Sequence, residues 1–367
     1  MKLLLSGGGT GGHIYPALAL AKRIKEQHPD AEFLYVGTDK GLESTIVPKA
    51  GIAFKSVEIQ GLKRSLSLDN LKTVYLMLTS VSKSKKIIKD FQPDVVIGTG
   101  GYVCAPVLYA AAKLNIPTII HEQNSVAGVT NKFLARYVNK IALCFEDAKD
   151  DFQKYADKLI VTGNPRAQEV AQISETTPLS EFGLDDTRPT VLVFGGSRGA
   201  EKINQSMIEA AKHFQDKDYQ ALLVTGERHF DAIQAQIEMI QPTITNVKVV
   251  PYIENMPALF KSIDLVACRS GATTLTELTA LGVASILIPS PYVTNNHQLK
   301  NAESLSHNQA AEILEEKDLN GSSLFTLIDD LLSDDEKRAA MADRAKALGV
   351  PDAADRLYQL VDELMTQ

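Results

Sequence analysis

Three glycine-rich stretches and two amide-rich ones hold the residues of this chain that could do chemistry. Gly7-Gly8-Gly9-Thr10-Gly11-Gly12-His13 follows the apolar run Leu3-Leu4-Leu5 and leads into Ala17, Leu18, Leu20, Ala21 and Ile24 at helical spacing. Glycines let backbone N–H groups approach a ligand closely, and a helix start favours negative charge. His13 stands at that start. An imidazole titrating near neutrality can serve there as a general base or ligand contact, or it can simply cap the helix, and the loop alone leaves both open. The loop also matches G-x-G-x-x-G at Gly7, Gly9 and Gly12. The next strand, however, ends in Tyr35-Val36-Gly37-Thr38 with Asp39 late, so the acid that would hold a dinucleotide ribose is out of place.

The second loop, Gly195-Gly196-Ser197-Arg198-Gly199-Ala200, follows the buried-strand pattern Thr190-Val191-Leu192-Val193-Phe194 and lacks the Gly-Lys-Ser/Thr ending of an ATP-binding P-loop. Its amides and the Ser197 hydroxyl suit a diphosphate or a sugar hydroxyl; a plain tight turn is the alternative. The third loop, Cys268-Arg269-Ser270-Gly271-Ala272-Thr273-Thr274, opens the helix that carries Glu277. Bare amides and the helix dipole would take up a diphosphate leaving group. Glu277 could accept bonds from both ribose hydroxyls or merely complement the dipole. The amide-rich run Asn295-Asn296-His297-Gln298 and the run His121-Glu122-Gln123-Asn124-Ser125-Val126-Ala127-Gly128 also follow strands, where open α/β sheets place ligands. The latter run and Gly100-Gly101-Tyr102 are expected to converge with His13.

The elements that must position these loops alternate strand and helix. Glu32–Val36, Val95–Gly98, Thr118–His121, Ile141–Cys144 and Lys158–Val161 read as further strands of a first parallel sheet. The stretch from about 164 to 189, with Pro165, Pro178 and Pro189, reads as a linker. The plan then restarts, with strands at Ala221–Val224, Val247–Val250, Leu265–Cys268 and Ala284–Ile288. Leu357, Leu360, Val361 and Leu364 form the apolar stripe of a last helix able to cap either half.

With 367 residues, two domains are expected. The N-terminal apolar run is too short for a signal peptide, so export is not expected. Cys104, Cys144 and Cys268 form no C-x-x-C pair, which argues against a disulfide framework or zinc site and fits a reducing cytoplasm. The net charge of −7 makes a general nucleic-acid binder a poor reading. Residues 61–89 nevertheless carry Lys63, Arg64, Lys72, Lys83, Lys85, Lys86 and Lys89 against Asp69 alone. Helical spacing there puts Leu71, Val74, Tyr75, Leu78 and Val81 on a core face and leaves Leu76 and Met77 beside the lysines. An apolar spot flanked by cations suits peripheral contact with an anionic membrane.

Taken in order, GGGTGGH (7–13), TGGY (99–102), HEQNSVAG (121–128), TGNPR (162–166), FGGSRGA (194–200), CRSGATTLTE (268–277) and NNHQLKNA (295–302) make the chain similar to the MurG family. These enzymes transfer N-acetylglucosamine from UDP-N-acetylglucosamine to undecaprenyl-linked MurNAc-pentapeptide (lipid I), giving lipid II for peptidoglycan. The resemblance implies a GT-B fold: two Rossmann-like, doubly wound parallel-sheet α/β domains facing across a cleft. Residues 1–163, with the helix 350–367 packed back on them, would take the acceptor and dock on the cytoplasmic face of the cell membrane through segment 61–89. Residues 164–349 would hold UDP-N-acetylglucosamine. Thr10, Gly11, Gly12 and Asn124 would line the sugar side; Arg166 and Ser197 would meet the diphosphate, Ile253 the uracil through its backbone, Glu277 the ribose, and Gln298 with His297 the sugar hydroxyls. His297 stands where some relatives carry a second glutamine, and Arg166 lies one residue earlier than in some relatives. His13 is the candidate base for an inverting transfer. No cofactor is implied, and no Asp-x-Asp motif is placed to bridge phosphates through a metal. The rival readings are another GT-B enzyme such as a glycolipid glycosyltransferase or a UDP-sugar 2-epimerase, an NAD-dependent oxidoreductase, and a non-catalytic nucleotide-sugar sensor.

Overall fold

The structure, a computed structural model, describes residues 1–60, 68–240 and 244–366, and of residues 68–74 the backbone only. The chain divides into two compact units, Met1–Glu169 with Val350–Gln367, and Val170–Gly349.

The first unit is built on β1 (Lys2–Ser6), β2 (Glu32–Gly37), β3 (Ala53–Ser56), β4 (Val95–Gly98), β5 (Thr118–Glu122), β6 (Lys140–Leu143) and β7 (Leu159–Val161). All pair in parallel in the order β3-β2-β1-β4-β5-β6-β7. Successive side chains of a strand point to opposite faces, so a sheet covered on both sides needs unbroken apolar runs. Leu3, Leu4 and Leu5 are each fully buried on this account. Leu4 joins Val96, Ile120 and Ile141 in one core. Leu3 and Leu5 join Ile97 and Ile119 in the other. The order reverses between β1 and β4, the kind of switch point beside which open α/β sheets place ligands.

The last helix, Ala353–Met365, seals this second face: Leu357, Leu360, Val361 and Leu364 pack with Ile14, Leu20 and Ile24 of the helix Gly11–Gln27. Asp355 ties the two ends of the unit together. It accepts from Arg23 Nε at 2.6 Å and from Gln168 Nε2 at 2.8 Å, and the Arg23 guanidinium holds its carboxyl below the usual range. Gln168 lies on the helix Pro165–Ala171, within the stretch expected to be linker. Pro165 pre-sets the first helical turn rather than breaking it. The first unit accordingly ends at Glu169, not at 163.

The second unit carries β8 (Thr190–Phe194), β9 (Gln220–Val224), β10 (Val247–Val250), β11 (Leu265–Cys268), β12 (Ala284–Leu287) and β13 (Glu312–Ile313), in the parallel order β10-β9-β8-β11-β12-β13. Its switch point lies between β8 and β11. β3 and β13 were not legible in the sequence: both are short edge strands without an apolar run.

The helix Leu68–Phe91 turns a different face inward from the one its spacing suggested. Leu76, Ser80, Ser84, Ile87 and Ile88 are buried, whereas Tyr75 and Leu78 are 66% and 67% exposed. The helix packs against the helix Cys104–Lys113. Lys63 and Arg64 lie outside the described residues, as do the side chains of Leu71, Lys72 and Val74.

Candidate active site

In the first unit, the loops after β1, β4 and β5 leave neighbouring strands, so Gly7–Thr10, Thr99–Val103 and Gln123–Gly128 are gathered at one sheet edge. Gly8 donates its N–H to Gly100 O at 3.2 Å. Gly101 crosses so near that a Cβ there would lie 2.5 Å from Gly8 O, at a φ of +87. Thr99 Oγ1 donates to His13 O at 2.6 Å, fixing the start of the helix. His13 Nδ1 lies 2.8 Å from Gly8 O. A carbonyl only accepts, so Nδ1 carries the hydrogen in this bond, which turns Nε2 away from Gly8 O.

Asn124 is held by Glu122, which is 2% exposed. Glu122 Oε1 accepts from Asn124 N at 3.0 Å and Nδ2 at 3.2 Å, and Oε2 accepts from Gly128 N at 2.9 Å and Asn131 Nδ2 at 2.8 Å. One buried carboxylate thus sets the loop and the start of the next helix. Its neighbour His121 is fully buried, donating from Nε2 to Gly163 O at 3.0 Å and accepting at Nδ1 from Gln123 Nε2 at 2.8 Å. Burial lowers its pKa below the ordinary value near 6.5. A lowered folded pKa means that the unfolded chain takes up the proton first. The stabilisation is therefore complete above about pH 6.5 and is lost as pH falls toward the depressed folded value. Thermal unfolding at pH 7.5 and 5.5 should show a drop in Tm for the wild type that His121→Gln, which cannot titrate, reduces.

In the second unit the loops after β8, β11 and β12 border a cavity of ≈ 760 Å³, with Gly196, Gly199, Lys202, Arg228, Arg269 and Gln298 in its walls. Arg269 is tied down: Nη1 donates to Ile288 O at 3.1 Å and Pro289 O at 3.2 Å, while Nη2 pairs with Glu316. Gln298 Oε1 accepts from Ser290 N at 2.9 Å, which leaves its NH2 as a donor. Lys202, Arg228 and Arg269 stand in these walls with Glu201 and Glu316, a lining of small positive balance beside a glycine loop that an anion could meet. The two glycine loops differ here. Gly9 N donates to Glu43 Oε2 at 3.0 Å and Gly8 N to Gly100 O, whereas among the described residues the N–H groups of Gly196, Ser197 and Arg198 bond to nothing within the chain.

The expected site residues fall into two groups. Thr10, Gly11, Gly12 and His13, after β1, and Asn124, after β5, lie at the same end of the first unit's sheet. Arg166 also lies in that unit, its Nη1 paired with Glu169 and its guanidinium 5.8 Å from the Tyr15 ring. Gln298 lines the cavity of the second unit, and Ser197 is exposed on the loop bordering it. Glu277 is half-buried in the second turn of the helix Ala272–Leu281. Ile253 follows β10, and His297 Nδ1 donates to Thr294 O at 2.8 Å, both outside the cavity walls. Sequence reasoning missed Lys202, Arg228, Glu316, Glu43 and the bonding of Glu122. Lys202 was readable, since a cation in the first turn of the helix after a glycine loop stands close to the loop's amides. Glu43 and Glu316 gave no signal, because the partners that tie them to the glycine loops, Gly9 and Arg269, are far away in the chain. Among the described residues no group of three His, Cys, Asp or Glu side chains could hold a metal ion.

The model of the glycosyltransferase family 28 N-terminal domain matches residues 3–143, and that of the C-terminal domain residues 190–357. The UDP-N-acetylglucosamine--N-acetylmuramyl-(pentapeptide) pyrophosphoryl-undecaprenol N-acetylglucosamine transferase of Bacillus pumilus is 54% identical over 366 residues, covering 100% of both chains. The protein of the same name in Bacillus cytotoxicus is 55% identical over 365 residues, again covering 100% of both. The crystal structure of Acinetobacter baumannii MurG matches with a TM-score of 0.80 at 28% identity, covering 99% of each chain. The chain belongs to the MurG family. Its two parallel-sheet units, of seven and six strands, are those of the MurG GT-B fold. A strand, a glycine loop and a helix open both units, as MurG membership implies.

Proposed function

We propose that this chain transfers N-acetylglucosamine with inversion from UDP-N-acetylglucosamine to the C4 hydroxyl of the MurNAc-pentapeptide of lipid I, giving lipid II. The full-length identity of 54% to a relative named for this transfer carries the reading. The cationic, glycine-bordered cavity of the second unit supports it. In this reading the acceptor hydroxyl attacks the anomeric carbon as the bond from that carbon to the UDP oxygen breaks. The hydroxyl proton passes to His13 Nε2, and the negative charge goes to the departing diphosphate. Amides of the second loop, Ser197 and the cavity cations stabilise that charge. Glu277 holds the ribose, the Ile253 backbone the uracil, and Gln298 with His297 the sugar hydroxyls. Thr10, Gly11, Gly12 and Asn124 border the sugar and acceptor. No metal is needed in this scheme, so EDTA should leave turnover unchanged.

The test is incubation with labelled UDP-N-acetylglucosamine and a short-chain lipid I analogue. A labelled disaccharide lipid is expected, with UDP released in equal amount and none without acceptor. Absence of that product would refute the reading.

The chain acts, in this reading, as a peripheral protein on the cytoplasmic face of the membrane. No described helix is long and apolar enough to cross a membrane. Tyr75 and Leu78, exposed on the helix that also carries Lys83, Lys86 and Lys89, supply the apolar spot. Leu76, expected there, is buried. Burying one such side chain contributes about 1.5–3 kcal/mol. The pair Tyr75→Ser and Leu78→Ser should therefore weaken binding to anionic vesicles by more than about tenfold in co-sedimentation, and leave turnover of a water-soluble acceptor unchanged.

A further inference from the structure

Glu43 lies at the start of the helix Glu43–Lys49 and is fully buried, far in sequence from any loop assigned to substrate. A buried carboxylate is costly unless its oxygens are bonded. Here Oε2 accepts from Gly9 N at 3.0 Å, and Oε1 accepts from Thr38 N at 3.0 Å and Thr38 Oγ1 at 2.7 Å. Three glycines make room for it: a Cβ on Gly8, Gly37 or Gly41 would lie 2.4, 2.6 or 2.1 Å from a Glu43 side-chain atom. The carboxylate therefore joins the end of β2 to the loop after β1. It grips that loop one residue from Gly8, whose carbonyl sets the His13 ring, and one residue from Thr10.

We propose that Glu43 is a positioning residue for the transfer. It holds the first glycine loop so that Gly8 O orients His13 Nδ1 and Nε2 is presented to the acceptor hydroxyl. The inference rests on the reading of His13 as the base. Glu43 does not touch substrate. It also takes up the Gly9 amide, so that amide is not available to a phosphate and the nucleotide is left to the second unit.

Glu43→Gln preserves shape but cannot accept at both ends. Whichever way the amide is turned, an N–H meets a backbone N–H, either of Gly9 or of Thr38. A displacement of the base by about 1 Å costs on the order of a hundredfold in rate. The expected result is a fall in kcat of at least about tenfold, with UDP affinity and the KM for UDP-N-acetylglucosamine within about twofold of wild type. Thr38→Val, which removes only the Oγ1 donor, should act in the same direction by a few-fold and serves if Glu43→Gln does not fold. Glu43→Gln in a His13→Ala background should add little, because a residue acting through His13 has nothing left to position. An unchanged kcat in the foldable variants, or a loss that multiplies independently with His13→Ala, overturns the proposal. His13→Ala alone with normal turnover removes the base assignment instead, so the two failures are distinguishable.

Discussion

His13→Ala is expected to lower kcat by about 10²–10⁴-fold, the usual contribution of a positioned acid or base. UDP affinity, measured by calorimetry, should stay within about twofold, since the cationic cavity lies wholly in the second unit. Stability should change little. The ring is only part-buried, and the helix start keeps its Thr99 bond to the His13 carbonyl, which alanine retains. His13→Gln is a sharper variant: it can still donate toward Gly8 O but takes up no proton at neutral pH, so it should be as inactive as alanine. A variant at His13 with near-normal turnover would move the proton to another acceptor and leave the donor site as described.

A second large effect is expected at Gly199. Its φ is +71, and a Cβ there would lie 1.8 Å from Thr225 O, a backbone atom that cannot turn aside. Gly199→Ala therefore has to push the second glycine loop off β9 or strain both. Left-handed strain alone costs about 1–3 kcal/mol, and the collision adds to it. UDP affinity should fall by a hundredfold or more, with a lower Tm for the second unit. Gly196 is the control. It has a φ of +92 but nothing within 4 Å of a Cβ, so Gly196→Ala should show the strain without the collision, a loss of about tenfold or less. Equal effects at the two positions would mean that the loop is not held against Thr225 as described.

These two residues also mark how much was legible in advance. The three glycine loops each follow an apolar run and open a helix, and that succession dictates a strand, a close-approach turn and a dipole-bearing helix start. The repeat of this plan after residue 190 announced a second sheet. Cys104 and Cys268 read correctly as inert buried thiols: burial pushes Cys104 up to about 12, and Cys268 higher still. The helix Leu68–Phe91 misled because apolar residues occur on more than one of its stripes. Its buried serines look polar in sequence, yet Ser80 is 2% exposed and donates to Glu58 O.

Sequence alone determined the local chemistry: which apolar runs are the inner strands, where amides are bare, and where an imidazole sits at a helix start. These depend on backbone sterics and spacing within a dozen residues. Only the tertiary structure decided which carboxylates serve those loops. Glu43 reaches Gly9 because β2 lies beside β1, and Glu316 reaches Arg269 because the last edge strand, β13, lies two strands from β11. Strand order is set by how the whole sheet buries both faces, and no short run of residues encodes it.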